Sequence, residues 1–240
     1  MSKAEPEGRP VPRNLHEHVL DSLGARIVSG EFAAGEILSP DSLAAELGVG
    51  RSVIREAFRV LESLGFVSAT RRIGTRVLPS SSWNVYDPRV IAWRLAGTGE
   101  GAQLRSLTEL RFAVEPLAAE LAARHASAEI GGELLQMAAR MRTLGRQGDL
   151  AGFLELDMSF HALVLEASGN EMFRHLSGAV AEVLRGRTTL GLMPSHPHEA
   201  AMQQHVDVAD AIHGGRPDAA REAMLGIMRR AYDELQASWT

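Results

Sequence analysis

Asp157 and His161 stand four residues apart, which sets a carboxylate and an imidazole on one face of a helix. The same stretch carries Phe153, Leu156, Phe160, Leu163 and Val164, so that face lies beside or within a packed apolar stripe. Ionisable groups directed at an apolar interior need a partner. His205 lies on a later helix, ahead of Val206, Val208, Ala209 and Ile212. One Asp and two His can hold a divalent cation, zinc or similar, with water or a ligand oxygen completing the shell. The spacing is also compatible with a hydrogen-bonded Asp157–His161 pair and an unrelated His205. A metal-dependent hydrolase or lyase using these three residues is one functional class, although no further carboxylate stands at motif spacing to act as base.

Arg111 sits among Leu107, Leu110, Phe112 and Val114. A guanidinium aimed into a helical interior fits a carboxylate ligand, or an internal salt bridge to Glu109, Glu115 or Asp157. His196 and His198, in the loop Met193-Pro194-Ser195-His196-Pro197-His198, belong either to a lid or to a solvated loop.

A second constellation is basic. Two short helical stretches are broken at Gly48-Val49-Gly50, and Arg51 opens the second. At about 100° per residue, Arg51, Arg55 and Arg59 fall within one arc, and Ile54, Ala57, Leu61 and Leu64 fall roughly opposite. Two β-prone runs follow, Gly65 to Thr70 and Thr75 to Leu78, joined by Arg71-Arg72-Ile73-Gly74. Gly50 to Pro79 carries six Arg against Glu56 and Glu62, a net of +4, in a chain whose net charge is −5. A basic helix after a tight turn, beside a hairpin with arginines at its tip, suits the major groove and flanking phosphates of DNA. The expected DNA surface is Arg51, Ser52, Arg55 and Arg59 on the helix, with Arg71, Arg72 and Gly74 on the hairpin.

These groups must be positioned by elements of two kinds. The chain has 240 residues, 45% hydrophobic and 23% charged, which is ordinary for a globular protein of two modest domains. Aromatics are only 5%, so the core is largely Leu, Ala, Val and Met, which favours helices. The absence of cysteine excludes disulfides and thiol catalysis. No apolar run reaches the ~20 residues of a membrane span, and a cytoplasmic location is expected. Residues 1–13 read as a disordered tail, 14–79 as a winged-helix domain and 80–101 as a linker, and 102–238 as a helical domain. Leu15 to Ser29 is the first helix; Ile37-Leu38 is a candidate third strand; Asp41 or Ser42 is expected to cap the helix before Gly48. Amphipathic segments follow at Leu104 to Ala123, with Pro116 as a kink or new start, then Leu134 to Leu144, Leu150 to Ala167, Met172 to Leu184, Ala200 to Ile212 and Asp218 to Gln236. The expected fold is mainly α: an N-terminal winged helix-turn-helix with a small β-hairpin wing, then a C-terminal all-α helical bundle.

Gly48 to Phe58 with Leu61, Gly65, Gly74-Thr75 and Val77 resembles the winged helix of GntR-family bacterial transcription regulators. That family usually has Ser where Gly50 stands and often Pro where Val53 stands, and many members carry a base-reading arginine where this chain has Pro40-Asp41-Ser42. Glu109-Leu110-Arg111 with Glu115-Pro116, Asp157 with Phe160-His161, and His205 with Ala211-Ile212 resemble the helical FCD domain of the FadR subgroup. The connector Trp83 to Trp93 is similar to that of sugar-acid-responsive, galactonate-type repressors. The resemblance implies a homodimeric repressor in which each winged helix reads half of a near-palindromic double-stranded DNA operator. It also implies a small anionic metabolite, such as a sugar acid, bound through Arg111, Asp157, His161 and His205 near a divalent metal. In metal-binding members four side chains hold the metal; Asp157, His161 and His205 match three, and the fourth position is Ile227, which cannot bind one. Water and the effector are then expected to complete the shell. A DNA-binding protein without an effector is the remaining alternative.

Overall fold

The computed structural model describes residues 15–70, 74–194 and 196–236. The chain forms two compact units, one of residues up to 85 with 96–98, the other of 86–95 and the residues from 99 onward.

In the first unit, α1 (Leu15–Val28) packs on α3 (Arg51–Ser63), with α2 (Pro40–Leu47) beside it. Leu20, Leu23, Ile54, Leu61 and Phe66 are fully buried and form its centre. Three short strands, β1 (Ile37–Leu38), β2 (Val67–Thr70) and β3 (Gly74–Val77), make an antiparallel sheet in the order β1-β3-β2. Ile37 faces Arg76 and Val67 faces Val77 across it, so Ile37-Leu38 does join the hairpin as a third strand. The cap of α2 differs from the sequence expectation. Ser39, not Asp41 or Ser42, is the N-cap, accepting from the Ser42 N–H at 3.3 Å, because Pro40 has no N–H and fits the first helical position. Gly48 ends α2 in the left-handed region at φ 63° and so makes the turn into α3. Gly65 is irreplaceable on two counts: its φ is +76°, and a Cβ there would lie 2.1 Å from the Ser82 carbonyl oxygen. Beside it Trp83 stacks on Phe66 at 4.4 Å, fixing the start of the connector to the sheet side of this unit.

The second unit is helical: α4 (Pro88–Leu95), α5 (Glu100–His125), α6 (Ala128–Gln147), α7 (Leu150–Ala167), α8 (Glu171–Arg174), α9 (Ser177–Thr189), α10 (Glu199–His213) and α11 (Pro217–Leu235). Leu134, Met141, Phe160, Leu165 and Met224 are fully buried in its core. Ser127 and Asp149 cap α6 and α7 by accepting from the N–H groups of Ile130 and Gly152. Three elements depart from the sequence reading. Pro116 does not start a new helix; α5 runs unbroken for 26 residues, packed along α11, which compensates for one missing backbone donor. The stretch from Met172 to Leu184 is two helices, because Asn170 caps the four-residue α8 and the chain turns at His175-Leu176 before α9. Pro88–Leu95, inside the expected linker, is helix α4 and packs on α9. Gly178 and Gly186 make that packing close: a Cβ would meet Pro88 Cγ at 2.8 Å in the first case and Leu95 Cδ1 at 2.8 Å in the second.

Candidate functional site

Three helices of the second unit converge on one polar cluster. Asp157 and His161 come from the inner face of α7, His205 from α10, and Arg111 with Glu115 from α5; all five are buried. Asp157, His161 and His205 each offer one ligand atom, and these atoms lie within 4.8 Å of one another. Phe160 meets both imidazoles edge-on, 5.8 Å from His161 and 5.3 Å from His205, and holds the ring planes.

The outer nitrogens of the two rings are engaged elsewhere. His205 Nδ1 lies 2.9 Å from the Ala201 carbonyl oxygen, an acceptor, so this nitrogen carries the proton. His161 Nδ1 lies 2.5 Å from Glu115 Oε2, at ion-pair distance though off the line of a well-directed hydrogen bond. In the neutral rings both Nε2 lone pairs then point inward, toward a carboxylate oxygen: Asp157 Oδ1 is 3.1 Å from His205 Nε2 and 3.4 Å from His161 Nε2. Acceptors facing an acceptor repel. Extra protons on the rings or a cation at their meeting point relieves the conflict. The donor set, two imidazole nitrogens and one carboxylate oxygen with second partners behind the rings, therefore fits a divalent cation.

Charge is finely matched around this point. Arg111 Nε donates to Glu115 Oε1 at 2.5 Å, and Arg111 Nη2 reaches His161 Nε2 at 3.4 Å. Burial would raise the Glu115 carboxyl, but Arg111 and His161 outweigh it and hold it at about 2. Burial opposes charge on His161, yet Glu115 and the contact with Asp157 raise that imidazole to about 9. Asp157, although buried, is held well below its ordinary value by hydrogen bonds from both histidines.

The cluster forms one wall of a cavity of about 50 Å³ that opens to solvent. Arg187, Arg230, Glu234 and Gln204 add polar groups, Ile227 and Phe153 add apolar ones, and Met193, Pro194, Pro197 and His198 form the rim. The structure thus brings Arg111 together with Asp157, His161 and His205, and satisfies Arg111 internally through Glu115. Ile227 lines the same cavity. Arg187 and Glu234 were missed in the sequence: they pair at 2.8 Å across 47 residues, and neither lies at motif spacing from the triad. Glu115 was visible as a salt-bridge candidate for Arg111, but not as the group behind His161.

The basic helix has the two-faced form expected of it. In α3, Ile54, Ala57, Phe58 and Leu61 are buried, and Arg51, Ser52, Arg55 and Arg59 are exposed on the other side. Arg51 pairs with Asp41 at 2.7 Å and Arg59 pairs with Glu56, whereas Arg55 has no ion-pair partner among the described residues. Gly74 starts β3 at φ 110°; Arg71 and Arg72 lie outside the described residues.

Comparison with known proteins agrees with both halves. Residues 15–77 match the bacterial regulatory proteins of the gntR family, and residues 106–230 match the FCD domain. The galactonate operon transcriptional repressor of Escherichia coli is 30% identical over 220 residues, covering 90% of this chain and 94% of its own length. The transcriptional regulator YieP of the same organism is 29% identical over 218 residues, with coverage of 90% and 94%. The solved structure of E. coli McbR/YncC shares the fold, with a TM-score of 0.55 and 16% identity over 94% of this chain and 98% of that one. No described helix is long and apolar enough to cross a membrane. The chain belongs to the GntR family of bacterial transcription regulators, with an FCD domain as its second half, and is a ligand-responsive DNA-binding regulator rather than an enzyme.

Proposed function

We propose that this regulator is a cytoplasmic homodimeric repressor whose operator affinity is changed by a small carboxylate, of the sugar-acid class, bound in the FCD cavity beside a divalent metal. The carrying observation is the convergence of two imidazole Nε2 atoms and Asp157 Oδ1 in a cavity also lined by Arg111, Arg187 and Arg230. Asp157, His161 and His205 would hold the metal, while Glu115 and the Ala201 carbonyl orient the two rings. When bound, the metal supplies a Lewis-acid anchor for a carboxylate or hydroxyl oxygen. With Ile227 at the remaining protein position, that coordination site is left for the effector. Gln204 and His198, which also line the cavity, would meet the effector's hydroxyl groups. Galactonate is the regulatory context named for one relative, which favours an aldonate here.

On DNA, Arg51, Ser52, Arg55 and Arg59 would face the major groove, and Arg71, Arg72 and Gly74 would lie at the hairpin. Each protomer would read one half-site. Effector binding then favours an arrangement of the two winged helices that fits the operator less well, a coupling of ordinary size being about 1–3 kcal/mol.

A thermal-shift screen of carboxylates, with and without zinc, manganese or chelator, tests the reading. An effector at 100 times its Kd stabilises the folded state by about 2.7 kcal/mol. A raised melting temperature that chelator abolishes is the expected result. A carboxylate response unchanged by chelator removes the metal from the proposal, and no carboxylate response at all removes the effector class.

A further inference from the structure

Arg187 occupies an incomplete site. It comes from α9, lines the cavity and is buried, yet only half of its guanidinium fork is used. Nη2 donates to Glu234 Oε2 at 2.8 Å, while Nε is buried and has no hydrogen-bond partner among the described residues. Burial, then the nearby charge of Arg111, pull this guanidinium below its ordinary pKa despite the pair with Glu234. A buried N–H left unpaired costs about 1–3 kcal/mol, so a group that can take both Nε and Nη2 is favoured there. A carboxylate does this with its two oxygens.

The two buried cavity arginines differ in what holds them. Glu115, the partner of Arg111, has a side chain only 1% exposed and also faces His161, so it has no route to water. Glu234, near the end of α11, has a side chain 30% exposed against 10% for Arg187. An incoming anion therefore exchanges more readily with Glu234, whose released charge can hydrate, than with Glu115, whose released charge would stay buried.

We propose that Arg187 is the carboxylate-binding residue of this cavity and that Glu234 is its built-in place-holder, displaced toward solvent when the effector's carboxylate takes the whole fork. The assignment rests on the effector reading above, and sets Arg111 apart as a structural member of the buried network. It also gives selectivity: an uncharged sugar cannot displace Glu234, so it gains nothing at Arg187.

The test is calorimetric titration of the full-length wild type, Arg187→Lys and Glu234→Gln with gluconate, galactonate, lactate and tartrate, with galactose as the uncharged control. For whichever of the four carboxylates binds wild type, Glu234→Gln should bind several-fold more tightly, because the competing charge is gone. Arg187→Lys should bind about tenfold more weakly or worse, since an ammonium cannot present a two-pronged donor. Galactose should bind none of them. A purely structural ion pair predicts the opposite sign for Glu234→Gln: a lower melting temperature and unchanged or weaker carboxylate affinity, which overturns the proposal. That variant alone decides the matter if Arg187→Lys fails to fold. Wild-type binding that neither variant changes discards Arg187's role and leaves the effector reading standing; absence of binding to all four carboxylates in wild type discards both.

Discussion

His205 presents its Nε2 to Asp157 Oδ1 at 3.1 Å while its Nδ1 is held by the Ala201 carbonyl, so the nitrogen facing the carboxylate is the one free to take either a proton or a metal. The same holds for His161, whose Nδ1 is turned to Glu115. A cation bound by Asp157, His161 and His205 would take the place a proton holds between these groups.

Metal uptake should therefore release protons. Without metal, the His161 imidazole is raised to about 9 from 6.5 and is charged at neutral pH. The stability its ion pairs contribute is fully present below about pH 6.5 and is lost as pH rises through about 9. A metal ligand must be unprotonated, so zinc or cobalt affinity should rise over the same window, and the metal-loaded protein should be spared the alkaline loss. Titration calorimetry in buffers of different ionisation heat, at pH 6.5, 7.5 and 8.5, reads the proton count. Uptake without proton release would show that the ion sits elsewhere.

Glu115→Gln should be among the most damaging polar substitutions in the helical unit. It strips Arg111 and His161 of their shared counter-charge inside a closed interior, at about 3–5 kcal/mol for a broken buried pair. The pH signature follows from its sign. The wild-type carboxyl is lowered from 4.5 to about 2, so its contribution is complete above about pH 4.5 and declines as pH falls toward 2. Urea midpoints at pH 7 and pH 3 should show a smaller difference between wild type and variant at the acid end.

On the DNA side the three arginines should not be equivalent. Arg55→Ala should weaken specific operator binding by about 1–3 kcal/mol if it reads a base, and Arg55 has no ion pair to surrender among the described residues. Arg51 must first leave Asp41, which lies 2.7 Å away. Asp41→Asn should then raise affinity for operator and random DNA alike, most at low salt. Gel shifts at several salt concentrations separate the two effects. An Arg55→Ala protein with unchanged operator affinity would contradict the docking of α3 in the groove.

Ile227→His would put an imidazole on the wall of the cavity that Asp157, His161 and His205 also line, where it could serve as a fourth ligand to the proposed metal. Metal affinity should increase and carboxylate affinity should fall, since protein and effector would compete for one ligand position. Metal analysis paired with carboxylate titration of this variant checks both signs; a parallel rise of the two would show that the effector does not use that position.

What the sequence made legible, and what it hid, follows from the range of the interactions. The faces of α3 came from local periodicity, since Ile54, Ala57 and Leu61 repeat at helical spacing and the arginines occupy the complement. Asp157 and His161 stood out because two ionisable residues interrupt an apolar stripe. Arg187 gave no such signal: it follows Arg185 and precedes two threonines, and reads as helix surface until α11 brings Glu234 to it. Ser39 is hard to tell as the cap because Asp41 and Ser42 are both good caps, and the deciding residue is Pro40, which sits inside the first turn. Pro116 misled in the other direction, as tertiary packing along α5 overrode a local breaker.

The glycines that seat α9 on α4 leave no soft layer between the two helices. Gly178 against the ring of Pro88 and Gly186 against Leu95 bring the backbone of α9 directly onto side chains of α4. Arg187 is the residue next to Gly186. A change at the cavity wall beside Arg187 would therefore reach α4 directly, since α4 packs on α9 at these glycines.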